Sequence, residues 1–252
     1  MNNLLKTLGI ATAIATAALL QSCSGNKYET VPGDPLNTRI YTLDNGLKVY
    51  MTVNKDEPRV QTYIAVRVGA KNDPAETTGL AHYFEHLMFK GTTNFGTQNY
   101  EAEKPLLDAI EQQFEVYRTT TDSLKRKAIY ATIDSLSQEA SKYAIPNEYD
   151  KLMTAIGATG TNAYTSYDVT CYTENIPSNE MDNWAKIQAD RFKNCVIRGF
   201  HTELETVYEE YNMSLTQDMR KVVENSFSAL FPHHPYGTQT VLGSQDNLKN
   251  PS

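Results

Sequence analysis

Between Gly79 and Thr92 the chain reads Gly-Leu-Ala-His-Tyr-Phe-Glu-His-Leu-Met-Phe-Lys-Gly-Thr, and the spacing of its two histidines constrains the fold more than any other feature. His82 and His86 are four residues apart. On a helix both imidazoles then project from one face, with Cβ atoms about 5–6 Å apart. One tetrahedral ion takes two such ligands. Glu85 lies three residues after His82, on the flank of that face. A carboxylate beside a zinc-bound water is what peptide hydrolysis needs: the metal acidifies the water and polarises the carbonyl, and the carboxylate moves the proton to the leaving amine. His-x-x-Glu-His is the inverted form of the His-Glu-x-x-His zinc motif. Taken alone, the five positions also fit a helix whose histidines are capped or buried and whose glutamate is a solvated surface charge.

Composition removes several other classes. With 252 residues, 40% hydrophobic and 21% charged, the chain is long enough for one large domain or two small ones, and disorder is excluded. Its 23 basic and 30 acidic residues give a net charge of −7, and the basic ones are scattered. That excludes a nucleic-acid partner held by phosphate neutralisation. Three cysteines with no Cys-x-x-Cys pair exclude a disulfide framework. Cys171 and Cys195 read as buried thiols in a strand and at a helix end, and spacing alone does not say whether they pair.

The N-terminus reads as an address. Lys6 precedes an apolar run from Leu8 to Leu20, followed by Gln21, Ser22 and Cys23. The run is too short for a bilayer core, which needs about 20 helical residues. Leu20-Gln21-Ser22-Cys23 resembles a bacterial lipoprotein lipobox, with residues 1–22 as the signal peptide and Cys23 as the lipidation site. The alternative is an ordinary secretory peptide with an incidental cysteine. The lipoprotein reading places the chain in the bacterial cell envelope, lipid-anchored on the periplasmic side, and Ser24 after Cys23 points toward the outer membrane. Residues 23–38, polar with Pro32, Gly33 and Pro35, read as a flexible tether.

Beyond the tether the pattern is regular. Tyr41–Leu43 and Leu47–Val53 flank Asp44-Asn45-Gly46, a hairpin signal resting on positive φ at Asn-Gly. Val60–Val68 predicts a third strand, and Thr78–Phe89 predicts the helix that carries the histidines. Residues 100–157 read as an inserted helical arm of two antiparallel helices, with a turn at Thr121-Asp122-Ser123 and a short helix after Pro146. Asn162–Asn175 predicts a strand, and Pro177-Ser178 opens a helix carrying Met181, Trp184, Ile187 and Phe192. Thr202 with Glu205 is a capping-box signature, predicting a helix over about Glu203–Gln217. This order predicts an α+β fold, a mostly antiparallel sheet with helices packed on one face.

The extended motif, His-x-x-Glu-His-Leu-Met-Phe-Lys-Gly-Thr preceded by Gly-Leu-Ala, resembles the active-site helix of the insulinase and pitrilysin family of zinc metallopeptidases, the inverzincins. Gly160-Thr161-Asn162-Ala163-Tyr164-Thr165 resembles the strand the family places beside its site. Glu203–Glu210 resembles its Glu-x-x-x-Val-x-Glu-Glu segment, and His234-Pro235-Tyr236-Gly237 with Gly243 resembles the stretch after it. The resemblance runs in the family's order from about Arg39 to the end of the chain. It implies one half of the metallopeptidase clamshell, residues 39–252, with a helical insertion at about 100–150. The implied activity is a zinc-dependent endopeptidase acting on peptides or unfolded segments, with Zn2+ held by His82, His86 and Glu210 and the water activated by Glu85. Glu203, two turns before Glu210 on the same face, is placed to hold a ligand histidine from behind, while Glu209 points away as a solvent charge. By the same resemblance Asn162 and Ala163 lie on an edge strand where substrate adds through main-chain bonds. The other half, carrying an arginine and a tyrosine near substrate, is expected in the same polypeptide or in a partner subunit, because the sequence stops before the last helix and strand expected of its own half. His233 and His234 read as loop-packing residues. Two other readings stand beside the peptidase: a non-catalytic scaffold or partner subunit of a two-chain peptidase assembly, and a peptide-binding lipoprotein with structural zinc. The intact set of His82, Glu85, His86 and Glu210 argues against the first. Glu85 argues against the second, since a closed structural site takes four protein ligands and needs no spare base.

Overall fold

The computed structural model describes residues 28–249, so the apolar run Leu8–Leu20 and Cys23 lie outside the described residues. Among the described residues no helix is long and apolar enough to cross a membrane. The chain divides into a unit ending at Pro58 and a second from Arg59 onward.

In the first unit, β1 (Arg39–Thr42) and β2 (Lys48–Met51) pair antiparallel, with Ile40 opposite Tyr50. The turn is made differently from the Asn-Gly expectation. Gly46 alone takes positive φ, at 86°, while Gly46 N–H donates to Leu43 O and Leu43 N–H donates to Leu47 O. This is a type I turn closed by a left-handed glycine, the three-residue hairpin loop.

The second unit holds a three-stranded antiparallel sheet in the order β3 (Arg59–Val66), β5 (Thr170–Pro177), β4 (Thr159–Thr165). The single strand expected over Asn162–Asn175 is therefore a hairpin. Ser166 makes its turn: its backbone N–H donates to Val169 O, and its hydroxyl accepts from the N–H groups of Asp168 and Val169. Along β3 the side chains of Thr62 and Ile64 face the core while Tyr63 is 65% exposed, so one sheet face is covered and the other meets solvent.

The covered face carries α1 (Leu80–Leu87), α4 (Glu148–Ala155) and α5 (Met181–Lys193). Phe95, Tyr149, Met153 and Ile176 form a core there, with Val60, Phe89, Trp184 and Ile187 packed around it. Helices α2 (Tyr100–Thr119) and α3 (Ser123–Ser141) are the expected pair at 100–157. Asn99 and Asp122 cap them, each side chain accepting a backbone N–H, and Ile110, Phe114, Ile133 and Ala140 interlock between them.

Helix α6 (Phe200–Ser214) starts earlier than expected and without the Thr202–Glu205 box. Gly199, at φ 65°, is its N-cap, and no side chain closes it. Helix α7 (Asp218–Leu230) was not anticipated. Its apolar residues Met219, Val222, Val223, Phe227 and Leu230 recur at helical spacing, but they stay largely exposed, Met219 at 73% and Leu230 at 71%, with Phe227 half-buried against Tyr167. Two short helices, α8 (Pro235–Thr238) and α9 (Gln245–Lys249), follow. Cys171 and Cys195 are free thiols, Cys171 buried and Cys195 half-buried.

Candidate metal centre

Helix α1 is fastened at both ends before its histidines are considered. Gly79 precedes it at φ 91°, and a Cβ there would meet Leu242 O at 2.9 Å and Gly243 Cα at 3.0 Å, so only glycine fits. Asp73 satisfies the first-turn donors, accepting from Gly79 N at 2.8 Å and from Ala81 N at 2.9 Å. Burial pushes the Asp73 carboxyl above its usual range, against the pull of those backbone bonds. At the other end Arg191 Nε donates to Met88 O at 2.9 Å. Between the ends, Tyr83 and Leu87 pack on Val207 and Leu248, and the Tyr83 hydroxyl donates to Phe200 O.

That packing sets α6 beside α1. Glu203, Val207 and Glu210 share a face of α6, and buried Val207 brings the two carboxylates to the histidines. His82 Nε2 and His86 Nε2 are 3.3 Å apart. Glu210 Oε2 lies 3.7 Å from the first and 3.5 Å from the second. Among the described residues, His82, His86 and Glu210 are the only group of three such side chains whose ligand atoms all come within 4.8 Å of one another. Bonds of 2.0–2.1 Å to a tetrahedral zinc separate neighbouring ligand atoms by roughly 3.3–3.4 Å. Two nitrogens and one oxygen at these separations fit such an ion, with one position left open.

Behind the site, His86 Nδ1 donates to Glu203 Oε1 at 2.8 Å, which leaves Nε2 as the lone-pair nitrogen facing Glu210. Lys90 pairs with the other oxygen of Glu203. Burial pushes the Glu203 carboxyl up, but His86 and Lys90 outweigh it and hold the group below the usual range. For His86, burial pulls down while the Glu203 bond and the charges of Glu210, Glu203 and Glu85 pull up, and the net shift is upward. His82 is pushed down to about 4 by burial and by His86, so it is a neutral imidazole at pH 7. Its Nδ1 is buried without a hydrogen-bond partner among the described residues.

Glu85 is 7% exposed and turns toward the sheet, where Thr165 Oγ1 on β4 donates to its Oε2 at 2.5 Å. Burial raises its pKa, and the Thr165 bond partly offsets this. Strand β4 is the edge of its sheet, so Asn162 and Ala163 do lie on an edge strand that runs against α1. Asn162 is exposed; Ala163 and Thr165 are half-buried on the opposite face. Glu209 is exposed, as expected of a solvent charge. His234 Nδ1 accepts from Tyr236 N at 3.2 Å, in keeping with a loop-packing histidine.

Sequence reading missed Thr165, Lys90 and Asp73. Thr165 and Lys90 were legible only as motif letters, and Asp73 only as the residue before a proline. Each acts through a contact of long sequence separation or through a helix end that starts two residues later than expected.

Residues 48–120 match the family described as Insulinase (Peptidase family M16). The chain is 27% identical over 114 residues to the "Putative zinc protease mug138" of Schizosaccharomyces pombe, covering 44% of this chain and 12% of that protein. It is 22% identical over 215 residues to the "Probable mitochondrial-processing peptidase subunit beta, mitochondrial" of Arabidopsis thaliana, covering 84% of this chain and 31% of that one. In fold it is similar to a protease from Helicobacter pylori, with a TM-score of 0.61 at 22% identity over 85% of this chain and 40% of that chain. The fold is therefore that of such protease domains, mixed helix and antiparallel sheet, and the chain spans less than half the length of each of these proteins.

Proposed function

We propose that this chain belongs to the M16 peptidases and forms the metal-bearing half of a zinc endopeptidase. The observation that carries the reading is the convergence of His82 Nε2, His86 Nε2 and Glu210 Oε2 within 4.8 Å, with the Glu85 carboxylate on the adjoining turn. Zinc at that point supplies Lewis acidity, activating a water and polarising a peptide carbonyl. Glu85 accepts the proton released by that water and delivers it to the leaving amine nitrogen. Burial supports this role, because a carboxylate with a raised pKa gives up its proton less readily to solvent. Thr165 holds Oε2 and leaves Oε1 as the oxygen that takes the proton. Glu203 fixes the His86 ring.

Substrate adds along the outer edge of β4, where among the described residues no strand lies beside Asn162 and Ala163, so recognition depends little on side chains and suits peptides or unfolded segments. A homologous half, in cis or in a partner subunit, completes the chamber. Cys23 anchors the protein by lipid on the periplasmic side of the bacterial envelope, with the outer membrane as its address.

The test is Glu85→Gln, assayed with the complementary half present. The expected result is a fall in peptide hydrolysis of about 10²–10⁴-fold with zinc retained. Retained hydrolysis would remove Glu85 from the role.

A further inference from the structure

We propose that the buried pair Arg198–Glu103, acting with the packing of Tyr83 and Leu87 on Val207, holds the third-ligand helix α6 in place against the two-histidine helix α1, and that Arg198 is thereby a positioning residue for the metal site. The inference rests on the metal reading given above and extends it to a part of the chain that supplies no ligand.

Arg198 is 6% exposed and Glu103 0%. The guanidinium grips the carboxylate with two bonds, Nε to Oε1 at 2.6 Å and Nη2 to Oε2 at 2.8 Å. Such a fork fixes direction as well as distance. The same guanidinium donates from Nη1 to Lys90 O at 2.8 Å and from Nη2 to Thr92 O at 3.1 Å. Three elements therefore meet at one side chain. Lys90 and Thr92 belong to the loop that leaves α1; Glu103 sits in the first turn of α2; Arg198 directly precedes Gly199, the N-cap of α6. The loop is shaped to admit the guanidinium. Gly91 at φ 104° and Gly96 at φ 84° flank it, and a Cβ at either would come within 2.9 Å of Nη1.

Among the described residues the rest of the arm grips α6 at separated points: the Tyr130 hydroxyl donates to Glu205 Oε1 at 3.1 Å, and Asp134 lies 4.0 Å from His201 Nε2. Phe114 meets Phe200 ring to ring at 4.8 Å, and Ser137 bonds His201 at 3.2 Å. A cavity of about 640 Å³, lined among others by Leu107, Phe114 and Glu203, separates arm from helix beside the ion pair. Continuous packing does not duplicate the joint there. Because a helix moves as a rigid rod at 1.5 Å rise per residue, a shift at its first turn carries Glu203 and Glu210 with it.

The test is zinc affinity, measured by chelator competition on the purified chain at a temperature where circular dichroism shows it folded. Arg198→Met is expected to weaken zinc binding about tenfold or more. Adding Glu210→Ala to Arg198→Met is expected to weaken it less than Glu210→Ala does alone, because the displaced carboxylate no longer reaches the ion. Met153→Ala, a 0% exposed residue in a separate core, is the control: a lower Tm with unchanged affinity. Wild-type affinity in Arg198→Met, or full additivity with Glu210→Ala, would overturn the proposal. Glu103→Gln, equal in size and uncharged, is read the same way where Arg198→Met does not fold. Loss of folding in both would overturn it too, leaving the pair a folding role alone. Absence of zinc from the wild type, or a Glu210→Ala variant that binds as the wild type does, would instead defeat the metal reading itself.

Discussion

His86 shows how much of the site one residue's surroundings decide. Its Nδ1 is engaged by Glu203 and its Nε2 faces Glu210, so its orientation and tautomer are set before any ion arrives. His82 is placed differently, buried edge-on against the His86 ring at 4.7 Å, with no hydrogen-bond partner on Nδ1 among the described residues. The two histidines should therefore respond unequally to changes behind them. Glu203→Gln removes the charge that pulls on the His86 proton while keeping the shape. It should weaken zinc binding by about 10–100-fold, read by chelator competition, whereas Glu209→Gln should leave it unchanged. Equal effects would mean that the Glu203 contact does not bear on the metal. Both glutamates stand in one short run of the sequence, and periodicity alone separated them, because positions 203, 207 and 210 share a face and 209 does not.

Among the elements, α1 is the one whose histidine pair was legible from its letters, since two histidines at helical spacing read directly as two imidazoles on one face. Its boundaries were not. The expected start at Thr78 is displaced to Leu80 because Gly79 turns left-handed under Leu242 and Gly243, residues far away in sequence. Gly79→Ala should accordingly lower stability by more than about 1 kcal/mol, seen as a reduced urea midpoint, through both the strained φ and the clash. An unchanged midpoint would show that α1 does not depend on that turn. The same dependence on distant partners hid other elements. The β4–β5 turn rests on the Ser166 hydroxyl and not on a glycine or proline signal. Helix α6 begins at Gly199 beneath the Arg198–Glu103 joint, so the local Thr202–Glu205 signature was overruled. Helix α7 buries none of its residues, yet Met219, Val222, Val223, Phe227 and Leu230 recur at helical spacing, so its pattern was legible in the sequence.

For the whole molecule, the α+β arrangement was legible because strands and helices alternate in blocks along the sequence. The convergence of α1 with α6 was not, because nothing in spacing says that residue 210 returns to residue 86. That closure is made by Tyr83, Leu87, Val207 and Leu248, four buried residues from three elements, and by the joint at Arg198. The central claim is that this closure builds one zinc site. Zinc content of the purified chain, measured beside the double variant His82→Ala, His86→Ala, tests it most directly. The account predicts one zinc per wild-type chain and none in the variant. A folded wild-type chain without zinc, or a variant that retains it, would contradict the account.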